Sequence, residues 1–135
     1  MRLEMEKKPA IEAATAADIA KAIGAIRSFG PSSFAILSAR DGSYIQVAGG
    51  GQTCAVEVRD AASGRHYRAH QTTQHPVFPD GTALMFGGGE LILLGNEWFT
   101  SSQAVQLVLE FQQGQLLPTS ASGWRDVTSA IFGKV

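Results

Sequence analysis

The sequence predicts an α+β domain, with an antiparallel β-sheet meander of about five to six strands and two main helices packed on one face. Two segments with apolar residues at helical spacing lie near residues 15–30 and 100–114. Between them, several runs alternate with a period of two and are separated by turn residues, which is typical of strands. Because these runs follow one another without an intervening helix, we expect an antiparallel sheet with its helices on one side.

The first helix is predicted by a cap at its start and an apolar stripe along one face. Thr15 and Asp18 have the spacing of a capping box, in which each side chain bonds the backbone of the other residue. The apolar stripe consists of Ile19, Ile23 and Ile26. A Gly-Pro pair at residues 30–31 is a stop signal. Residues 1–10 are expected to form a flexible charged tail, so the predicted single domain covers residues 11–135.

The strands of the meander are predicted from period-two runs and the turns between them. Asp41 and Gly42 are a hairpin signal. The predicted strands are residues 33–39, 44–48, 52–59 and 65–70, followed by an edge strand at 83–86 and a buried strand at 90–94. The glycine triples at 49–51 and 87–89 each lead into a strand, so we expect them to shape the backbone and not to bind phosphate.

The register of one strand pair follows from matching apolar with apolar residues. This register sets Val58 opposite Tyr67, Glu57 opposite Arg68 and Arg59 opposite His66. Cys54 lies on the apolar face and is expected to be buried and unreactive. The Glu57–Arg68 pair is expected to be exposed, either as an ordinary solvated face or as part of a binding surface, and to contribute about 0.2–1 kcal/mol.

The second helix is predicted to open with a capping box at Thr100 and Gln103 and to end at Gly114. Its core stripe consists of Ala104, Leu107, Val108 and Phe111. A loop rich in Ser and Gly then leads to residues 124–127. Ile131 and Phe132 are expected to lie in a final short turn of helix.

The composition is that of a soluble globular domain with one core, since the chain has 135 residues, 44% hydrophobic and 17% charged. No apolar run approaches the length of a membrane span, and the first residues lack the apolar region of a secretory signal. A single cysteine excludes an internal disulfide, and together these features predict a cytoplasmic protein. The net charge of −1 provides no overall field that would attract nucleic acid.

The charge distribution is uneven along the chain. Residues 76–123 contain four acidic residues and no Lys or Arg. This asymmetry either arises by chance or marks a surface for a basic partner. Trp98 and Trp124 each flank polar loop residues, where an indole is either part of the core or an aromatic anchor in a protein interface.

Candidate catalytic and metal-binding residues form no pattern typical of a known chemistry. His66 and His70 are four residues apart on a predicted strand, about 13 Å, which is too far for both to bind one metal ion. Cys54 has no candidate base near it in the sequence. The glutamates show no spacing that indicates a catalytic pair. We therefore expect no enzyme, no cofactor and no metal site.

Several segments together resemble a known protein family. They are residues 34–37, 41–51, 56–59, 66–69, 96–99, 104–105, 111, 117–118 and 124–127. In order and spacing these segments resemble the Imm1-type immunity proteins of bacterial polymorphic toxin systems, over about residues 33–128. Members of this family are cytosolic α+β antidotes, and many are encoded beside toxins that act on nucleic acids, deaminases among them.

The resemblance implies a protein that binds and neutralises a cognate secreted toxin by covering its active site. The implied partner is a basic, nucleic-acid-acting deaminase or nuclease, with no direct binding of nucleic acid or membrane, and the protein itself is a monomer or weak homodimer. The residues expected to bind the toxin are Glu57, Arg59, His66, Arg68, Glu90, Asn96, Glu97, Trp98 and Trp124. One alternative is an enzyme or small-ligand-binding domain with a pocket between helix and sheet. Another is a homo-oligomer joined through an exposed sheet edge.

Overall fold

The computed structural model describes residues 1–132, and within this range it contains eight strands and three helices. The strands are β1 (Arg2–Met5), β2 (Phe34–Ser38), β3 (Tyr44–Gly50), β4 (Thr53–Arg59), β5 (His66–His70), β6 (Thr82–Phe86), β7 (Gly89–Leu93) and β8 (Gly123–Asp126). The helices are α1 (Ala16–Ala25), α2 (Ser101–Gln112) and α3 (Thr128–Phe132). Six strands form an antiparallel sheet in the order β1-β2-β3-β4-β5-β8, and β6 pairs with β7 in a separate hairpin. The predicted α+β fold class is confirmed.

Helices α1 and α2 pack on the same face of the six-stranded sheet, as the sequence predicts. Both predicted apolar stripes are buried. They form one core with the inward-facing residues of the central strands, including Val47, Val56 and Val58. Full burial of each large aliphatic side chain contributes roughly 1.5–3 kcal/mol, so this core is the main source of stability.

Both predicted capping boxes are present. The Thr15 hydroxyl accepts a hydrogen bond from the Asp18 N–H at 3.1 Å, and the Asp18 carboxylate accepts one from the Thr15 N–H at 2.9 Å. Thr100 and Gln103 exchange the same two hydrogen bonds, at 3.2 and 2.9 Å. Each box satisfies backbone N–H groups that the first helical turn cannot pair internally.

The connection between β3 and β4 lies against the end of α1. Gly49 and Gly51 have φ values of +97° and +65°, which glycine adopts without steric cost. At Gly50, a Cβ atom would lie only 2.0 Å from the carbonyl oxygen of Ile26. The helix ends at Ala25, earlier than the predicted Gly-Pro stop, because Ile26 is already extended. The glycines therefore have the structural role that the sequence predicts.

The derived pairing of β4 with β5 is confirmed residue by residue. Glu57 lies opposite Arg68, Val58 opposite Tyr67 and Arg59 opposite His66. The apolar side chains of this pair face the helices. Its charged side chains lie on the opposite face of the sheet.

Cys54 lies on the apolar face of β4, as predicted, and has no exposed surface. Burial raises the pKa of its thiol from the ordinary 9.0 to about 12, which lowers the thiolate fraction about a thousandfold at a given pH. Because the thiolate is the reactive form, we expect a thiol reagent to label the native protein at least about a hundredfold more slowly than the urea-unfolded chain. Similar labelling rates for the two states, measured side by side, would contradict this burial.

The N-terminal residues form an edge strand where the sequence predicts a flexible tail. β1 pairs antiparallel with β2, and Leu3 is only 2% exposed. Leu3 also exchanges two backbone hydrogen bonds with Ile11, at 2.9 and 2.8 Å. The prediction for residues 1–10 is therefore corrected over Arg2–Met5. The strand was missed because the charged residues around it favour a solvated tail. Pairing with β2 overrides that weak local preference.

The β6–β7 hairpin packs on the face of the sheet opposite the helices. Its inward side chains join a second, smaller core whose buried members are Ala48, Ala55, Leu84, Leu93 and Trp98. The predicted buried strand at residues 90–94 is only half correct. Within β7, Leu93 alone is buried, whereas Ile92 is 53% exposed.

The sixth strand of the sheet, β8, was not predicted. It pairs antiparallel with β5, and Trp124 and Arg125 lie opposite Ala69 and Arg68. The backbone of the predicted final helical turn belongs to α3. Among residues 1–132, none of the helices has the length and apolar character needed to cross a membrane.

Candidate functional site

A largely buried ionic network lies on the sheet face opposite α1 and α2. Alternation along β4 and β5 places Glu57, His66 and Arg68 on this face. Glu97 joins them from the segment before α2, and Arg125 joins from β8. We refer to these five side chains as the ionic network.

Glu57 accepts from two sides at once. Its Oε2 accepts a hydrogen bond from Arg68 Nε at 2.6 Å, and its Oε1 lies 2.8 Å from His66 Nε2 and accepts from Gln46 Nε2 at 3.1 Å. Burial by itself raises the pKa of Glu57, but the hydrogen bond with His66 and the positive charge of Arg68 outweigh this effect. The pKa of Glu57 therefore lies below its ordinary value of 4.5. Glu57 is ionised at neutral pH.

Glu97 has no exposed surface and contacts two arginines. Its two oxygens accept from Arg125 Nε and Nη2 at 2.9 and 3.0 Å, a bidentate arrangement. Oε1 also lies 3.5 Å from Arg68 Nη1 and accepts from the Leu94 N–H at 2.8 Å. The hydrogen bond to Glu97 raises the pKa of Arg125. Arg68 thus lies between the two buried carboxylates and links them.

The prediction of an exposed Glu57–Arg68 pair is wrong, because the residues are only 1% and 3% exposed. The β6–β7 hairpin covers this part of the sheet, and Arg68 Nη1 donates to the carbonyl oxygen of Ile92 at 3.0 Å. The sequence analysis predicted a buried strand at residues 90–94 but did not place it over this face, so the pair was expected to be open to solvent. Burying charges has a desolvation cost, yet removing one partner leaves the other charge uncompensated and is strongly destabilising.

The ionic network joins the β6–β7 hairpin to the six-stranded sheet. Donors from β5, from β8 and from the chain near β7 converge on two carboxylates. In the part of the chain that the structure describes, no three His, Cys, Asp or Glu residues are grouped so as to hold a metal ion. What the geometry does provide is a rigid attachment of the hairpin to the sheet.

Most of the residues predicted to bind a partner lie inside the protein. The buried ones are Glu57, His66, Arg68, Glu97 and Trp98, and the half-buried ones are Arg59, Asn96 and Trp124. Trp98 packs in the second core against Phe78, with ring centroids 4.5 Å apart. The indole N–H of Trp124 donates to the carbonyl oxygen of Pro118 at 3.0 Å. Glu90 alone of the nine predicted residues is exposed.

The outward side of the β6–β7 hairpin is an exposed surface rich in apolar side chains. We call it the hairpin face, and it consists of Ala83, Met85, Glu90, Ile92 and Leu94. Met85, Ile92 and Leu94 are 48%, 53% and 37% exposed. Glu90 lies opposite Met85 in the pair of strands. Exposed apolar side chains grouped with polar neighbours are typical of interaction surfaces.

The apolar residues of the hairpin face were missed from the sequence. The alternation of Glu90, Ile92 and Leu94 with Leu91 and Leu93 was a usable signal for a strand with one exposed face. The apolar character of the run concealed it, because a short continuous apolar run is also typical of a fully buried strand.

Comparison with known proteins found no relative of this chain. No family model, no curated protein and no solved structure matches it. A functional assignment therefore rests on the ionic network, the hairpin face and the resemblance described above.

Proposed function

We propose that this protein is an immunity protein that binds a cognate secreted toxin domain and covers its active site, using the hairpin face as the contact surface. The observation that supports binding most directly is the exposure of Met85, Ile92 and Leu94 on one side of the hairpin. The toxin as partner comes from the resemblance to Imm1-type immunity proteins. The proposal includes a cytoplasmic location and no catalytic activity.

The charge of the hairpin face favours a basic partner. Glu90 is exposed there, and residues 76–123 contain no Lys or Arg. Acidic surfaces speed the association of basic partners and discriminate against acidic ones. A toxin that acts on nucleic acid needs basic side chains to bind phosphates. We therefore propose a deaminase or nuclease whose basic substrate groove is covered by the hairpin face.

The ionic network supports this proposal because it holds the hairpin in place before any partner binds. Arg68 bonds the carbonyl of Ile92, and Glu97 bonds the N–H of Leu94. Both of these residues contribute side chains to the hairpin face. A surface that is already ordered loses less conformational entropy on binding, which favours tight association.

Co-expression with the toxin domain of a large secreted protein encoded beside this gene should restore bacterial growth. Ile92→Arg is expected to weaken the complex by at least about thirtyfold, because it places an uncompensated charge in an apolar contact. Affinity would be measured by titration calorimetry, and protection by the growth assay. The side chain of Ile92 points outward, so the free energy of unfolding should change by only about 0.5 kcal/mol.

Phe29→Arg is the matched control, since Phe29 is 91% exposed and lies outside the hairpin. This variant should bind and protect like the unmodified protein. Glu90→Lys should slow association at low salt and do so less at high salt. Failure of the unmodified protein to protect or to form a complex would contradict the immunity function. Full protection by Ile92→Arg would instead place the contact surface elsewhere.

A further inference from the structure

A groove of about 440 Å³ lies between α1 and the N-terminal segment. Its floor includes Leu3 and Met5 from β1 and Ala22 and Ala25 from α1. Its rim includes Lys8 and Lys21. This volume falls within the range of about 300–1,000 Å³ that is typical of small-molecule sites.

The groove exists because the chain after β1 turns back along the outer edge of the sheet. Backbone hydrogen bonds between Leu3 and Ile11 hold this return segment in place. Lys7 and Ala13, near its two ends, have φ values of +60° and +49°. Residues other than glycine adopt this conformation at a cost of about 1–2 kcal/mol each. The wall of the groove is thus a defined segment of backbone.

The charges at the rim are predominantly positive. Within residues 1–132, neither Lys8 nor Lys21 forms a salt bridge, and both are exposed. Asp18 also lines the groove. Its carboxylate accepts the hydrogen bond of the Thr15 N–H, which holds the pKa of Asp18 below its ordinary value, with a smaller contribution from the charge of Lys21. Asp18 therefore offsets part of the charge of Lys21, and the two lysines with this one carboxylate give the residues that line the groove a net charge of +1.

We propose that this groove binds a small amphiphile that carries a carboxylate, with its hydrocarbon chain along the apolar floor and its charged group between Lys8 and Lys21. An unbranched chain of roughly ten carbons fits the volume, taking about 30 Å³ for each heavy atom as in liquid water. The apolar floor favours a ligand with a hydrocarbon part over a purely ionic one such as inorganic phosphate, because only the hydrocarbon part gains free energy by leaving water for this floor. This inference is independent of the toxin-binding function.

Titration calorimetry with decanoate, decanol and decyltrimethylammonium, each below its micelle concentration, tests the charge preference. Decanoate should bind at least about tenfold more tightly than the other two, because only it pairs with the lysines. Lys8→Gln with Lys21→Gln should remove this preference. Lys7→Gln is the control, since Lys7 lies in the same turn but does not line the groove.

A second pair of variants tests the position. Ala25→Trp fills the groove and should weaken decanoate binding at least about tenfold. Ala20→Trp adds the same indole to an exposed position of α1 outside the groove and should leave binding unchanged. Equal binding of the three amphiphiles, or equal effects of the two tryptophans, would overturn the proposal.

Discussion

Replacement of Glu57 by Gln is expected to lower the free energy of unfolding by about 3–5 kcal/mol at neutral pH. The carboxylate is 1% exposed and bonds Arg68 and His66, so its removal leaves the buried guanidinium of Arg68 with only the longer contact of 3.5 Å to Glu97 as counter-charge. Urea unfolding followed by tryptophan fluorescence measures the change. Glu12→Gln is the control, because Glu12 forms an exposed ion pair with Arg2 and should lose less than about 1 kcal/mol.

The effect of Glu57→Gln should also depend on pH in a defined direction. The pKa of Glu57 is lower in the folded protein than its ordinary 4.5, so its stabilising contribution is complete above 4.5 and is lost as the pH falls through the folded-state pKa. The difference in stability between the two proteins should therefore shrink below pH 4.5. Other carboxylates titrate in both proteins and cancel in the difference. A difference that stays constant on acidification would show that folding does not lower the pKa of Glu57.

Gly50→Ala is the second substitution with a large expected effect, a loss of about 3 kcal/mol or more. The added Cβ would lie 2.0 Å from the carbonyl oxygen and 2.6 Å from the carbonyl carbon of Ile26. Both are backbone atoms, so relief requires the end of α1 to move away from the sheet. Thermal unfolding and hydrogen exchange in α1 would report the loss.

Substitutions at two other glycines, Gly51 and Gly24, distinguish the effect of steric overlap from that of backbone strain. At Gly51 a Cβ meets open space but φ is +65°, so Gly51→Ala should cost only about 1–2 kcal/mol. At Gly24 there is neither contact nor unusual φ, and Gly24→Ala should stabilise α1 by up to about 1 kcal/mol. If Gly50→Ala proved no worse than Gly51→Ala, the close packing of α1 against the glycine connection would be refuted.

The features predicted correctly from the sequence are those that depend on near neighbours in the chain. Capping boxes span three residues, as at Thr15 and Thr100, and the β4–β5 register depends on matching two strands joined by a short turn. The burial of Cys54 followed from the alternation of side chains along the same strand. In each case the physical preference is fixed within a few residues, so no knowledge of distant segments is needed.

The features that were missed depend on which distant segments meet. Glu57 and Arg68 read as an exposed pair because no local signal shows that the β6–β7 hairpin covers them. The bidentate contact of Glu97 with Arg125 joins residues 28 positions apart. β1 and β8 are edge strands with short, mixed patterns, and only their partners in the sheet define them. The site was therefore predicted in part by residue identity, with four of its five members named as binding residues, but not in its burial or its role.

The pairing of β5 with β8 has a consequence for the order in which the chain assembles. About 50 residues separate these neighbouring strands, whereas about six separate β4 from β5. Closing the longer loop costs roughly 2 kcal/mol more in chain entropy, since this cost grows with the logarithm of loop length. The meander from β2 to β5 can thus form as a local unit, in which Glu57 meets Arg68 early. Arg125 arrives with the last strand, and its contact with Glu97 locks an already formed sheet.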